Sequence, residues 1–125
     1  MRIGLDIDNV ITDFDKTVFQ EFLKEDKHKR NKGVVNPDSD RLRRCFDWSD
    51  TEVEEFYARK MEDMAKILEP REDAKYYMDR LLADGHELYL VSHRVYPQYK
   101  NPFETTINWL KENDINYTKL ILKYL

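Results

Sequence analysis

Asp6 and Asp8, near the start of the chain, are the residues best placed to do chemistry. They end a short apolar segment that predicts a strand over residues 2–7, and their spacing matches the strand period, so both can face one side. Magnesium would relieve the repulsion between two close carboxylates. On a phosphorylated substrate, Asp6 would be the nucleophile and Asp8 the acid/base. The alternative is an acidic loop at the positive end of the next helix, and the spacing leaves both open.

A second polar set follows the apolar segment 88–91. Ser92 has a hydroxyl that can donate to a phosphate oxygen, and the guanidinium of Arg94 matches phosphate geometry. Asn9, after the carboxylate pair, tolerates the left-handed backbone that a turn there would require. We therefore predict substrate-binding roles for Asn9, Ser92, His93 and Arg94. The alternatives are a serine that caps a turn and an exposed loop pair after it.

The elements that must position these residues alternate along the chain. Apolar segments predict strands over residues 2–7, 86–92 and 119–122. Helical spacing of apolar residues predicts helices over residues 14–29, after the capping box that begins at Ser49, over residues 71–83 and after Asn101. Gly85 is placed to end the third helix and Asn101 to cap the fourth. Residues 33–47 contain turn formers and are expected to be irregular.

This alternation predicts an α/β fold with a short parallel sheet of three strands. The span between the first two strands is longer than one crossover needs, so we interpret residues 15–69 as a helical insertion. Residues 1–14 and 70–125 would then form the α/β core. Ligands bind beyond the carboxyl ends of parallel strands, which is where Asp6, Asp8 and Ser92 fall.

The composition favours one domain with one hydrophobic core, since 41 % of the 125 residues are hydrophobic. No apolar run approaches the roughly 18–20 residues that span a bilayer. The start of the chain does not resemble a secretory signal and Cys45 is the single cysteine, so we expect a cytoplasmic protein. The net charge of −4 argues against nucleic-acid binding. Residues 27–32 are nevertheless a basic stretch. They can be interpreted as a solvated loop beside a helix or as cations that attract a phosphorylated substrate.

Together these segments resemble the haloacid dehalogenase superfamily of phosphohydrolases. Residues 6–10, Asp-Ile-Asp-Asn-Val, resemble its first motif, Asp-x-Asp-x-(Val/Thr). Residues 88–92 resemble its second motif, an apolar strand that ends in Ser or Thr. The sequence of residues 5–14 is most similar to that of the 5′-nucleotidase branch, which includes deoxyribonucleotidase-like members. The resemblance implies a Rossmann-like core and a small helical cap inserted after the first strand.

The resemblance also implies a function: a magnesium-dependent phosphomonoester hydrolase that acts on a nucleoside monophosphate through an aspartyl-phosphate on Asp6. Magnesium would be held by the carboxylate of Asp6, the backbone carbonyl of Asp8 and an acidic residue of a later motif. No residue after Leu122 matches that motif, and Lys123 only approximates the family's later lysine, at a spacing that is short for it. We therefore expect a fragment, a chain completed by a partner, or a degenerate relative. The segment that in this family supplies a strand beside the first one is missing as well. The first strand therefore has an open edge, which predicts self-association through it.

A catalytically silent binding or assembly protein is the alternative from another functional class, because a metal ligand is missing. Magnesium-dependent turnover that is lost in Asp6→Asn would favour the enzyme. Nucleotide binding without turnover would favour the silent binding protein. A nucleic-acid-binding module that uses residues 27–32 is a third hypothesis, and it predicts strongly salt-dependent binding. Four aromatic residues are candidates for a base-binding pocket or for the core: Phe46, Trp48, Phe56 and Tyr57.

Overall fold

The computed structural model describes residues 1–123, which form three strands and four α-helices. In chain order these are β1 (Arg2–Leu5), α1 (Phe14–Lys29), α2 (Asp50–Lys66), α3 (Glu72–Ala83), β2 (Glu87–Ser92), α4 (Pro102–Glu112) and β3 (Lys119–Leu122), with a 3₁₀ turn at Leu42–Arg44. The predicted mixed α/β architecture is confirmed. In this part of the chain, no helix combines the length and the apolarity needed to cross a membrane.

β1 is shorter than predicted, and the extension of this strand to residue 7 was wrong. The backbone turns at Ile7, whose carbonyl oxygen accepts hydrogen bonds from the amides of residues 10–12 at 2.9–3.2 Å. Ile7 is fully buried, so its apolar side chain contributes to the core from a turn rather than from a strand. Asp6 and Asp8 therefore lie in this turn, and the strand period does not set their orientation.

The three strands form a parallel sheet in the order β1-β2-β3, which confirms the predicted sheet. Leu5 lies opposite Leu90, and Ser92 lies opposite Leu122, so the carboxyl ends of all three strands share one edge. One face of the sheet packs against α3 and α4 in an apolar cluster that includes Met78, Leu88, Leu90, Trp109, Leu110 and Leu120. Within residues 1–123, no strand pairs with the outer edge of β1.

The segment between β1 and α3 has an apolar cluster of its own, formed mainly by α1, α2 and the loop between them. Phe46, Trp48 and Phe56 are buried in it and Tyr57 packs against it, so the structure favours the core interpretation of these aromatic residues. The chain enters and leaves this segment side by side, because Asp13 N–H donates to the carbonyl of Glu69 at 2.9 Å. The division into a core and an insertion at residues 14/15 and 69/70 stays a prediction.

A buried carboxylate, Asp26, organises the basic end of α1. Its oxygens accept hydrogen bonds from the indole Nε1 of Trp48 at 3.0 Å and from the amides of Lys32 and Gly33 at 3.0 and 2.7 Å. Two cations of the basic stretch pair with acids of the chain, Arg30 with Glu52 and Lys32 with Asp47. These contacts support the interpretation of residues 27–32 as part of the fold's own surface.

The start of α4 differs from the predicted cap. The side chain of Asn101 makes no capping hydrogen bond. Glu62 of α2 supplies the acceptor instead, because its Oε2 atom receives the amides of Lys100 and Asn101 at 3.1 and 2.8 Å and the hydroxyl of Thr105 at 3.3 Å. These amides lie just before the first residue of α4, so Glu62 ties the end of the preceding loop, and with it the start of α4, to α2.

Candidate functional site

A cavity of about 170 Å³ lies where β1 and β2 end. Five of the six predicted site residues line it, namely Asp6, Asp8, Ser92, His93 and Arg94. Its remaining walls come from Phe14, Met61, Gln98 and Tyr99. Residues separated by more than eighty positions in the sequence therefore share one concave surface at the sheet edge where ligands of α/β proteins bind.

A larger cavity, of about 270 Å³, lies between α2 and α4 and contains none of the predicted site residues. Its walls include Glu62, whose Oε2 atom already accepts hydrogen bonds from the start of α4. This groove is the seam between two packed helices. The smaller cavity is the better candidate site, because it brings together the carboxylates and donors that can perform chemistry.

Asp6 is exposed at the mouth of this cavity. Its Oδ1 atom accepts a hydrogen bond of 2.7 Å from the amide of Ile7, the residue at which the backbone turns. This contact with the following amide limits the rotation of the carboxylate. Asp6 therefore presents an exposed carboxylate to the cavity, with one of its oxygens held by the backbone.

Asp8 is held by a bidentate ion pair with Arg94. The Nη2 atom of Arg94 donates to Asp8 Oδ1 at 2.7 Å, and Nε donates to Oδ2 at 3.3 Å. Arg94 is only 1 % exposed, whereas the Asp8 side chain is 23 % exposed. The third contact of Arg94 is the hydroxyl of Thr106, which accepts from Nη1 at 3.0 Å. The charge of Asp8 is thus neutralised inside the protein, on the side away from solvent.

The surroundings of Arg94 keep it charged. Burial alone lowers the pKa of this guanidinium, but the hydrogen bond and the charge of Asp8 outweigh burial and raise the pKa above its ordinary value. The ring of Tyr99 faces Arg94, with 5.6 Å from Cζ to the ring centre. Burial raises the pKa of the Tyr99 hydroxyl well above its usual range, despite the opposing charge of Arg94. Tyr99 is therefore a neutral aromatic wall of the cavity.

Ser92 and His93 lie next to each other at the end of β2 and line the cavity from that side. Ser92 is nearly buried, at 3 % exposure, whereas His93 is exposed. The structure thus brings a hydroxyl and an imidazole to the same surface as Asp6. Their predicted contact with substrate stays a prediction.

Asn9 is the one predicted site residue that does not line the cavity. Its φ of 64° confirms that the turn requires a left-handed residue. Its side chain caps α1, because Oδ1 accepts from the amide of Asp15 at 2.9 Å and Nδ2 donates to the Asp15 carboxylate at 3.1 Å. In this conformation the amide group of Asn9 is used by the first turn of the helix.

The donors present define what kind of metal site can form. Within residues 1–123, no three His, Cys, Asp or Glu side chains are placed to hold a metal ion together. Both carboxylate oxygens of Asp8 accept from Arg94, and Asp6 is the more exposed of the two carboxylates that line the cavity. This donor set fits magnesium bound through one carboxylate, since that ion keeps several water molecules and often binds substrate phosphate.

Thr106 and Tyr99 complete the site and were missed by the sequence interpretation. Thr106 is fully buried on the side of α4 that also carries Trp109 and Leu110. A polar residue among the apolar positions of a helix is the signal that could have pointed to it. Met61 comes from α2, and nothing in its sequence context distinguishes it from an ordinary core methionine.

No protein-family model matches this chain, and no curated protein matches it. The haloacid dehalogenase resemblance therefore stays a prediction from the residues of the two motifs.

Proposed function

We propose that this chain has the Rossmann-like core of the haloacid dehalogenase superfamily and is a magnesium-dependent phosphomonoester hydrolase. The observation that carries the proposal is the convergence of Asp6, Asp8, Ser92 and His93 on one cavity at the carboxyl edge of a parallel sheet. A helix cap alone would account for an acidic turn, but not for a serine at the end of β2 and a histidine just after it beside that turn.

Asp6 is the proposed nucleophile. One of its carboxylate oxygens attacks phosphorus, the bond from phosphorus to the substrate oxygen breaks, and an aspartyl-phosphate forms. The leaving oxygen takes up a proton. Water then attacks the phosphorus of the aspartyl-phosphate and loses a proton, which releases inorganic phosphate and regenerates Asp6. Ser92 and His93 are the proposed donors to the phosphate oxygens, since both line the cavity beside Asp6.

Asp8 is the proposed acid/base, and its ion pair constrains how it performs this role. Both of its oxygens accept hydrogen bonds from Arg94, an arrangement that suits a carboxylate paired with a guanidinium. An anionic carboxylate can take a proton from the attacking water. To protonate the leaving oxygen it must first hold a proton itself, on one of the two oxygens that accept from Arg94.

Magnesium belongs to the proposal as the cofactor. Asp6 would hold the ion through its carboxylate and Asp8 through its backbone carbonyl, together with water and substrate phosphate. When bound, the ion would offset the negative charge that Asp6 and the phosphate bring together. The structure describes no further acidic ligand in residues 1–123, so binding without substrate is expected to be weak.

A nucleoside monophosphate is the proposed substrate, and we propose a cytoplasmic location with no membrane or nucleic-acid partner. Phe14, Met61 and Tyr99 give the cavity an apolar wall beside the polar groups. Its volume of about 170 Å³ is below the roughly 300–1,000 Å³ of typical ligand sites. The cavity therefore has room for the phosphoryl group, and the nucleoside would extend between the sheet edge and α2.

A catalytically silent binding or assembly protein is the second candidate function. Two observations favour it: within residues 1–123 the cavity lacks a cluster of three metal-binding side chains, and Asp8 is neutralised by Arg94. This candidate predicts that nucleotides bind but are not hydrolysed, with or without magnesium.

The discriminating experiment is a phosphatase screen over nucleoside monophosphates and simple phosphomonoesters, with and without magnesium. The enzyme proposal predicts turnover that requires magnesium and falls by at least about 10³-fold in Asp6→Asn. Asp63→Asn, an exposed aspartate of α2, is the matched control and should retain activity. Equal rates in Asp6→Asn and in the unaltered chain would contradict the proposed nucleophile.

A further inference from the structure

Arg94 has the surroundings of a structural arginine rather than of an exposed substrate-binding one. It is 1 % exposed, and three of its N–H groups donate to protein oxygens, two on Asp8 and one on Thr106. The ring of Tyr99 faces its guanidinium. A phosphate that approached through the cavity would have to compete with the carboxylate of Asp8 for the same fork of donors.

We propose that Arg94 is a positioning residue that orients Asp8 for proton transfer, and that Thr106 of α4 fixes Arg94 in turn. This inference rests on the proposed phosphatase function. It assigns to Arg94 a role different from the phosphate contact that the sequence predicts. Arg94 then acts on the reaction only through Asp8.

The geometry explains why an arginine suits this role. Two parallel hydrogen bonds fix both the position and the plane of a carboxylate, whereas one contact would let it rotate. Asp8 keeps 23 % of its side chain exposed, so it still reaches the cavity while Arg94 holds it from the buried side. Proton transfer depends on this orientation, since a displacement of about 1 Å can cost on the order of 10²-fold in rate.

The loop that contains Arg94 is held in place at both ends. Residues 93–101 join β2 to α4 and carry both Arg94 and Tyr99. The far end of this loop is held by Glu62 of α2 through the amides of Lys100 and Asn101. Arg94 is therefore held near one end of the loop by Asp8 and Thr106, while α2 holds the other end.

The test is steady-state kinetics with p-nitrophenyl phosphate, and with inorganic phosphate as inhibitor, on the full chain. Arg94→Met should lower kcat by about 10–100-fold and change KM and the phosphate inhibition constant by less than about threefold. Arg94→Lys should recover part of kcat because it restores the charge without the fork. Thr106→Val removes one hydrogen bond and should lower kcat by about fivefold. Arg80→Met and Thr51→Val are exposed controls.

Each outcome decides between roles. If Arg94 binds substrate, Arg94→Met raises KM and the phosphate inhibition constant by about tenfold or more while kcat is retained, which would overturn the inference alone. An unchanged kcat in Thr106→Val would also overturn it, and this milder variant carries the test if Arg94→Met fails to fold. Absence of any Asp6-dependent turnover in the unaltered chain would overturn the proposed function and the inference together.

Discussion

The ion pair between Asp8 and Arg94 should dominate the stability of the site, and removing Asp8 should cost more free energy of unfolding than removing Arg94. Asp8→Asn leaves a guanidinium that is 1 % exposed without its counter-charge. We expect a loss of about 3 kcal/mol in the free energy of unfolding, the lower end for breaking a buried pair, because asparagine keeps one acceptor. For a domain of this size the melting temperature should fall by about 10–15 °C.

Arg94→Met should cost less, about 1–3 kcal/mol, because the Asp8 side chain is 23 % exposed and can regain water through the cavity. The double variant Asp8→Asn/Arg94→Met removes both charges, and its loss should be smaller than the sum of the single losses by about 1–3 kcal/mol. Asp63→Asn is the control for an exposed aspartate and should stay within about 0.5 kcal/mol of the unaltered chain.

Urea unfolding followed by tryptophan fluorescence suits this cycle, since Trp48 and Trp109 are both buried, one in each apolar cluster. Curves for the four proteins at one pH give the coupling energy directly. Losses that add within about 0.5 kcal/mol would show that Asp8 and Arg94 are not coupled in solution. That result would refute both the ion pair and the role of Arg94 built on it.

Three further predictions concern other parts of the chain. The hydrogen bond from Arg30 lowers the pKa of Glu52 to about 2 from an ordinary 4.5, so the charged carboxylate stabilises the fold above pH 4.5 and loses this effect as the pH falls towards 2. Glu52→Gln should therefore destabilise the chain at pH 7 but hardly at pH 2. Denaturation curves at the two pH values, with Glu55→Gln as the control, measure this difference. Glu62→Ala leaves the amides of Lys100 and Asn101, just before α4, without their acceptor and should cost about 1–2 kcal/mol in urea unfolding, whereas Asp63→Ala should be neutral. The outer edge of β1 has no partner strand in residues 1–123, so sedimentation should show self-association that increases with concentration. Gly4→Lys should weaken this association, and the open space around a Cβ at Gly4 accommodates the new side chain. A monodisperse monomer at high concentration would contradict this prediction.

The elements could be predicted from the sequence wherever a local signal specifies them. The capping box from Ser49 to Glu52 forms as predicted, and Gly85 has a positive φ of 88° just after α3. The parallel sheet follows from the alternation of strand and helix, and it places Asp6 and Ser92 at one edge. These features depend on neighbours in sequence or on the general geometry of crossover connections.

Contacts between distant residues could not be predicted in this way. Arg94 has the sequence context of an exposed loop residue, and its burial depends on Asp8, a residue 86 positions earlier. The sequence predicts that Asn101 caps α4, but in the structure Glu62, a carboxylate of the neighbouring α2, binds the amides of Lys100 and Asn101 just before the helix. The end of β1 was placed too late because Ile7 is buried by a turn, which an apolar pattern cannot distinguish from a strand.

In the proposed reaction Asp6 carries the phosphoryl group, and rapid acid quench followed by peptide mass spectrometry would detect this intermediate. The chain would be mixed with magnesium and a hydrolysable phosphomonoester and stopped within the first turnover. We expect a phosphate on the peptide that contains Asp6, absent from Asp6→Asn and still formed in Asp63→Asn. Turnover without a phosphorylated Asp6, or a phosphate on another residue, would contradict it.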